Sequence, residues 1–102
     1  MPMFAVLGFD YPPHSMTLRD QVRTEHRAYV KANDQKLRLA SVMLDAHGNQ
    51  KGTILYFEAE SVEEVRAWVA AEPFYQHGVY ESVHIVEVRT AFNKIALIGW
   101  PV

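Results

Sequence analysis

LRLASVMLDAHGNQKGTILYFEA, residues 37–59, decides the fold. Two apolar runs, Leu37–Asp45 and Thr53–Ala59, are rich in Leu, Val, Ile and aromatic side chains. Between them lies the polar segment Ala46–Gly52, with glycines at both 48 and 52. Strand, turn, strand is the reading, so these residues form a β-hairpin. The flanks of the hairpin carry a different period. Upstream, Leu18, Val22, His26, Tyr29 and Val30 recur at helical spacing, which predicts a helix from about Leu18 to Ala32 ended by Asn33-Asp34. Ser15 or Thr17 can cap it, and Thr17 with Asp20 resembles a capping box with Asp in the place of Glu or Gln. Downstream, Ser61 is placed to cap a second helix. Glu63 and Glu64 suit the positive end of its dipole, and Val62, Val65, Trp68 and Val69 form its apolar stripe. Pro73 disfavours a helical residue before it, so the second helix ends at Glu72.

One strand remains on each side. Met3–Tyr11 is apolar along both faces and is stopped by Pro12-Pro13, and Val79–Arg89 is the last strand. The order is β-α-β-β-α-β, the ferredoxin-like α+β plan of a four-stranded antiparallel sheet with two helices on one face. A chain of 102 residues makes one domain, residues 1–102, in which 91–102 form an apolar C-terminal extension too short for another packed layer. The helices cover one sheet face only. Phe4, Val6, Ile54, Tyr56, Val86 and Val88 cannot all turn toward them together with their alternating neighbours. The second face is therefore apolar, and a homodimer packed sheet to sheet is expected.

Composition narrows the chemistry. Ten Lys and Arg against twelve Asp and Glu leave a net charge of -2, without the basic surplus that neutralises phosphates, so no nucleic-acid partner is expected. No apolar run reaches the length of a membrane span, and the N-terminus lacks a signal peptide's basic start, so the expected location is the cytoplasm, with no membrane partner. With no cysteine, disulfides, thiolate metal ligands and thiol nucleophiles drop out. His14, His47, His77 and His84 show no tight metal spacing, and no glycine-rich phosphate loop or elbow serine is present, so neither metal nor cofactor is expected.

The remaining candidates are His, carboxylates and Arg. The topology gathers Asp10, His14, Arg19, the loop around His47, Glu72 and His77 at one end of the sheet, with His26 about half-way down the first helix. His26 occupies a position where an apolar residue would pack better. It is either a core histidine bonded to a carbonyl or a general acid/base suited to neutral pH. Arg19 and Arg23 lie seven and three residues before it on nearly the same face. They are either solvated surface or contacts for an anionic or enolate-like ligand. Glu72, and after it Asp10, are the carboxylates that could hold the imidazole in one tautomer.

At these residues the chain resembles the YciI-like (YCII-related) family of small dimeric α+β barrel proteins. The likeness runs to about Arg89. It rests on a first strand ending in Asp10, on Arg19, Arg23 and His26 spaced Arg-x3-Arg-x2-His, on Glu58-Ala59-Glu60-Ser61 before the second helix, and on Glu72-Pro73-Phe74 running into Gly78-Val79-Tyr80. The resemblance implies a dimer with a pocket holding a catalytic histidine–carboxylate pair, here His26 and Glu72. The family usually has Asp before the proline, so this chain departs by one methylene. The family includes a dehydrochlorinase of a chlorinated hydroxyquinol, and its wider superfamily includes muconolactone isomerases and cofactor-free monooxygenases. The expected function is that of a small cofactor-free enzyme acting on an anionic or phenolic ring-derived metabolite by elimination or isomerisation. In it His26 moves the proton, Glu72 or Asp10 orients His26, and Arg19 and Arg23 bind negative charge. The alternatives are a non-catalytic ligand-binding dimer and a cofactor-free monooxygenase.

Overall fold

A computed structural model describes residues 1–12 and 16–94. The elements are β1 (Met3–Asp10), α1 (Met16–Ala32), β2 (Leu37–Leu44), β3 (Gln50–Glu58), α2 (Val62–Ala71), a single turn α3 (Pro73–Gln76) and β4 (Tyr80–Val88). The strands form one antiparallel sheet in the order β2-β3-β1-β4, so the ferredoxin-like plan holds. His14 and Ser15, and residues 95–102 of the expected extension, lie outside the described residues.

Register divides the apolar residues between two faces. Phe4 pairs with Phe57 and Val6 with Leu55, while Val6 also faces Ile85 and Gly8 faces Val83. Phe4, Val6, Leu55 and Phe57 turn inward and build the main core with Ala59, Val65 and Val69, against which Val83 and Ile85 pack. By alternation, Leu7, Ile54, Tyr56, Val86 and Val88 fall on the other face. Phe9 and Val86 there are exposed, at 39% and 49%. Of the six residues weighed from the sequence, two face the helices and four face away. A second, smaller core joins α1, α3 and the start of β4: Val22, Phe74 and Val79, with Leu18 and Tyr80 against them.

Three local expectations are corrected. The hairpin turn is tighter than Ala46–Gly52, because the Asp45 side chain accepts the backbone N–H groups of His47 (2.8 Å) and Asn49 (3.0 Å) and Gly48 takes a φ of 81°. The residues from Gln50 to Gly52 are thereby freed for β3. A Cβ at Gly52 would sit 2.6 Å from the Gly8 carbonyl oxygen, which is why the strand tolerates only glycine there. Secondly, α1 begins at Met16, so Thr17 lies inside the helix and forms no capping box; Asp20 pairs with Arg23 instead (2.7 Å). Thirdly, Ser61 stands at the N-cap of α2 but its side chain makes no capping bond, and the Glu64 carboxylate accepts the Glu60 N–H at 3.1 Å. The two long helices are tied by Tyr29, whose hydroxyl donates to the Trp68 carbonyl, and by the Trp68 indole, which donates to the Asn33 carbonyl, both at 2.7 Å. Among the described residues no helix is long and apolar enough to cross a membrane.

Candidate functional site

The break at Glu72-Pro73 builds the centre of the site. Pro73 is at the first position of α3, where its missing N–H costs nothing and its fixed φ starts the turn. Glu72 becomes the N-cap, and its carboxylate accepts the N–H of Phe74 (3.0 Å) and of Tyr75 (3.3 Å). The carboxylate is thus held from its own chain. It is 3% exposed, and its Oε1 also meets Nδ1 of His26, reaching across from α1. The imidazole is a fifth exposed and stacks on the Phe74 ring, with 3.8 Å between centroids and 5° between planes.

This geometry defines the tautomer. A carboxylate at Nδ1 accepts a hydrogen bond, so Nδ1 carries the hydrogen and the lone pair of the neutral ring lies on Nε2. Nε2 makes no hydrogen bond to any described residue. Of the two carboxylates weighed for His26, the structure brings Glu72 to it and not Asp10.

Asp10 is committed elsewhere. Both of its oxygens accept from Arg19, at 2.6 Å from Nε and 2.9 Å from a terminal nitrogen, a two-pronged pair with side chains 1% exposed. The guanidinium also donates to Thr53 Oγ1 (3.0 Å) and to Gln50 (3.5 Å), and the Tyr80 hydroxyl donates to the same Thr53 oxygen (3.0 Å). Arg19 was expected to meet a ligand; it is instead a buried cation neutralised within the chain. Its guanidinium carbon lies 4.8 Å from the centroid of Phe74, which links this network to His26 through one ring. Burial pushes the Tyr80 phenol well above its ordinary range, and the Glu72 charge adds to the effect, so Tyr80 stays protonated. Arg23, by contrast, is a quarter exposed and among the described residues pairs with Asp20 alone, a surface contact that a ligand can displace at little cost. His77 sits on the surface against Glu25 at 3.0 Å.

Phe74 and Val22 pack together between α1 and α3. Between the sheet and α2 lies a cavity of about 10 Å³ bordered by Gly8, Thr53, Glu72 and Tyr80, room for about one water. Thr53 was not singled out from the sequence, and Phe74 and Tyr80 entered only as parts of the family motif, with no site role. Pro73 directly after a carboxylate is the signal that could have found the α3 turn. Nothing local marked the roles of Thr53 and Tyr80, since their partners come from other strands and from α1.

A ferredoxin-like α+β domain with a histidine backed by a buried, main-chain-held carboxylate is the class that fold and site define. The chain belongs to the YCII-related domain family, whose model matches residues 3–89. Among solved structures it is similar to the 5-chloro-2-hydroxyhydroquinone dehydrochlorinase of Burkholderia phenoliruptrix, determined in complex with 2,5-dihydroxybenzoquinone. That likeness has 25% identity and a TM-score of 0.78 over 85% of this chain and 93% of the other. An antibiotic biosynthesis monooxygenase (14% identity, TM-score 0.54, 89% and 99% covered) and a NIPSNAP family protein of Agrobacterium tumefaciens (15%, 0.55, 92% and 97%) share the fold. No curated protein sequence matches the chain at a significant level.

Proposed function

We propose that this protein is a small enzyme that moves a proton on a phenolic or anionic ring-derived substrate, by elimination or isomerisation. The observation that carries this reading is the His26–Glu72 pair: Glu72 is fixed by two backbone N–H groups before it meets Nδ1, which leaves Nε2 as the free base. Glu72 orients the ring and stabilises the imidazolium that forms. Arg23 exchanges Asp20 for the developing negative charge of the substrate. Proton transfer by an imidazole requires no cofactor. The likeness to a dehydrochlorinase supports the substrate class. For a chlorinated hydroxyhydroquinone the net change is loss of HCl: one hydroxyl proton is moved to the chlorine-bearing carbon, giving the keto tautomer, a second hydroxyl proton then goes to the base as the C–Cl bond breaks and chloride leaves with the bonding pair, and the ring becomes a hydroxybenzoquinone.

The test is chloride release from 5-chloro-2-hydroxyhydroquinone and related halogenated hydroquinones, followed with an ion-selective electrode. Release above the uncatalysed rate is expected. Saturable binding of these compounds with no turnover of any of them would favour the ligand-binding alternative.

The active unit in this proposal is a homodimer joined through the outer sheet face. Leu7, Phe9, Ile54, Tyr56, Val86 and Val88 make that face apolar, with Phe9 and Val86 exposed on it. Light scattering at micromolar concentration is expected to return twice 11.7 kDa. Val86→Glu, at a side chain already half exposed in a single chain, is expected to shift the mass toward the monomer while the fold survives. A wild-type monomer would leave the apolar face without an occupant and overturn the dimer.

A further inference from the structure

Phe74 has no reactive group, yet it touches both members of the pair. Its ring lies parallel to the His26 imidazole, and its backbone N–H donates to Oε1 of Glu72, the same oxygen that meets Nδ1. The ring is itself immobilised. It is 2% exposed, packs with Val22 and Val79, meets Tyr80 edge-on (6.3 Å between centroids, 87° between planes), and has the Arg19 guanidinium carbon 4.8 Å from its centre.

We propose that Phe74 is a positioning residue for His26: its ring face sets the plane of the imidazole while its amide holds the carboxylate, so that Nε2 points in one direction. The inference rests on the proton-transfer reading of His26 and deepens it. A hydrogen bond at Nδ1 fixes one point of the imidazole but leaves the ring free to tilt about that bond, and χ2 of histidine is a broad torsion. A parallel face contact removes the tilt. Packing alone would be served by any apolar side chain of similar volume, whereas holding a plane needs a flat one. Proton transfer depends on this, because a misplacement of about 1 Å at the reacting atom can cost ~10²-fold in rate. The sequence places both contacts through one device. With Glu72 as N-cap and Pro73 at the first position of α3, residue 74 supplies the first free N–H of the turn and projects its ring against α1.

The experiment has a spectroscopic arm and a kinetic arm. In the unsubstituted protein, the His26 ring protons are expected to resonate upfield of a free histidine because of the Phe74 ring current, and the ¹⁵N shifts are expected to report the Nδ1–H tautomer. Phe74→Leu should abolish the upfield shift, keep the Nδ1–H tautomer that Glu72 sets, and lower kcat by ~10- to 100-fold with KM changed less than about twofold. Phe74→Tyr, which keeps a flat ring, should restore the upfield shift and kcat. Unshifted His26 ring protons in the wild-type protein overturn the proposal without any variant. So does a folded Phe74→Leu protein that retains kcat, and so does Phe74→Tyr behaving like Phe74→Leu. Failure of the proton-transfer reading is told apart by His26→Ala retaining turnover while the wild-type protein still shows the stack and tautomer signals of His26.

Discussion

His26→Ala is expected to lower turnover by roughly 10²-fold or more while the affinity for a ring-derived ligand changes little. A positioned acid/base group contributes about 10²–10⁴-fold, and this substitution removes the one nitrogen whose lone pair is left free by the Glu72 contact. Ligand contacts from Arg23 stay in place, so the loss belongs to kcat rather than KM. The change also takes a partner from a carboxylate that is 3% exposed. Glu72 keeps the N–H groups of Phe74 and Tyr75, which limits the destabilisation to about 1–3 kcal/mol. Thermal melting alongside the assay separates the two effects. Glu72→Gln is the companion variant: it keeps the shape of the cap but can present its NH₂ to Nδ1, which favours the wrong tautomer, so turnover should fall there too. Full turnover in His26→Ala with weakened binding would make the histidine a ligand contact and end the acid/base mechanism.

Asp10→Asn is expected to be the most damaging single change to stability. Arg19 is 1% exposed and cannot reach water to replace a lost partner. Breaking a buried ion pair from one side costs about 3–5 kcal/mol, because a charge is left uncompensated in a poorly polarisable interior. For a domain of this size each kcal/mol is worth about 4–8 °C in Tm, so a fall of roughly 12–40 °C is expected. The pair itself should matter far less than its breaking. Asp10→Leu combined with Arg19→Met removes both charges and is expected to recover much of the loss, with Thr53 still accepting from Tyr80. A Tm for Asp10→Asn within a few degrees of wild type would show that Arg19 is solvated in solution and open to ligands, the role expected of it from the sequence.

These two residues mark how far local reasoning reaches. Asp10 and Arg19 were both candidates, one to orient His26 and the other to meet a ligand, and neither expectation included their pairing with each other. Helical spacing put Arg19 near His26, but it could not reveal that β1 brings a carboxylate to the same spot with Thr53 and Gln50 from β3 alongside. His26 and Glu72 were paired through the likeness to a family and through a topology that brings α1 and the end of α2 together. The Glu72-Pro73 break was visible; the α3 turn behind it, and with it the place of Phe74 against His26, was not, because a one-turn helix has no periodicity to detect.

What the amino-acid sequence determined by itself is the set of elements and their order. Period-2 and period-3.6 apolar patterns, proline breaks and the glycine-bearing turn are local signals, and the βαββαβ order leaves one antiparallel sheet with helices on one side as the compact solution. Only the tertiary structure decided which polar groups neutralise one another. Asp10 and Arg19 are nine residues apart, His26 and Glu72 forty-six, and Thr53 joins Arg19 across thirty-four. A buried charge must find its partner wherever the packed chain brings one within bonding distance, and that distance is set by register and helix placement rather than by any pattern along the chain.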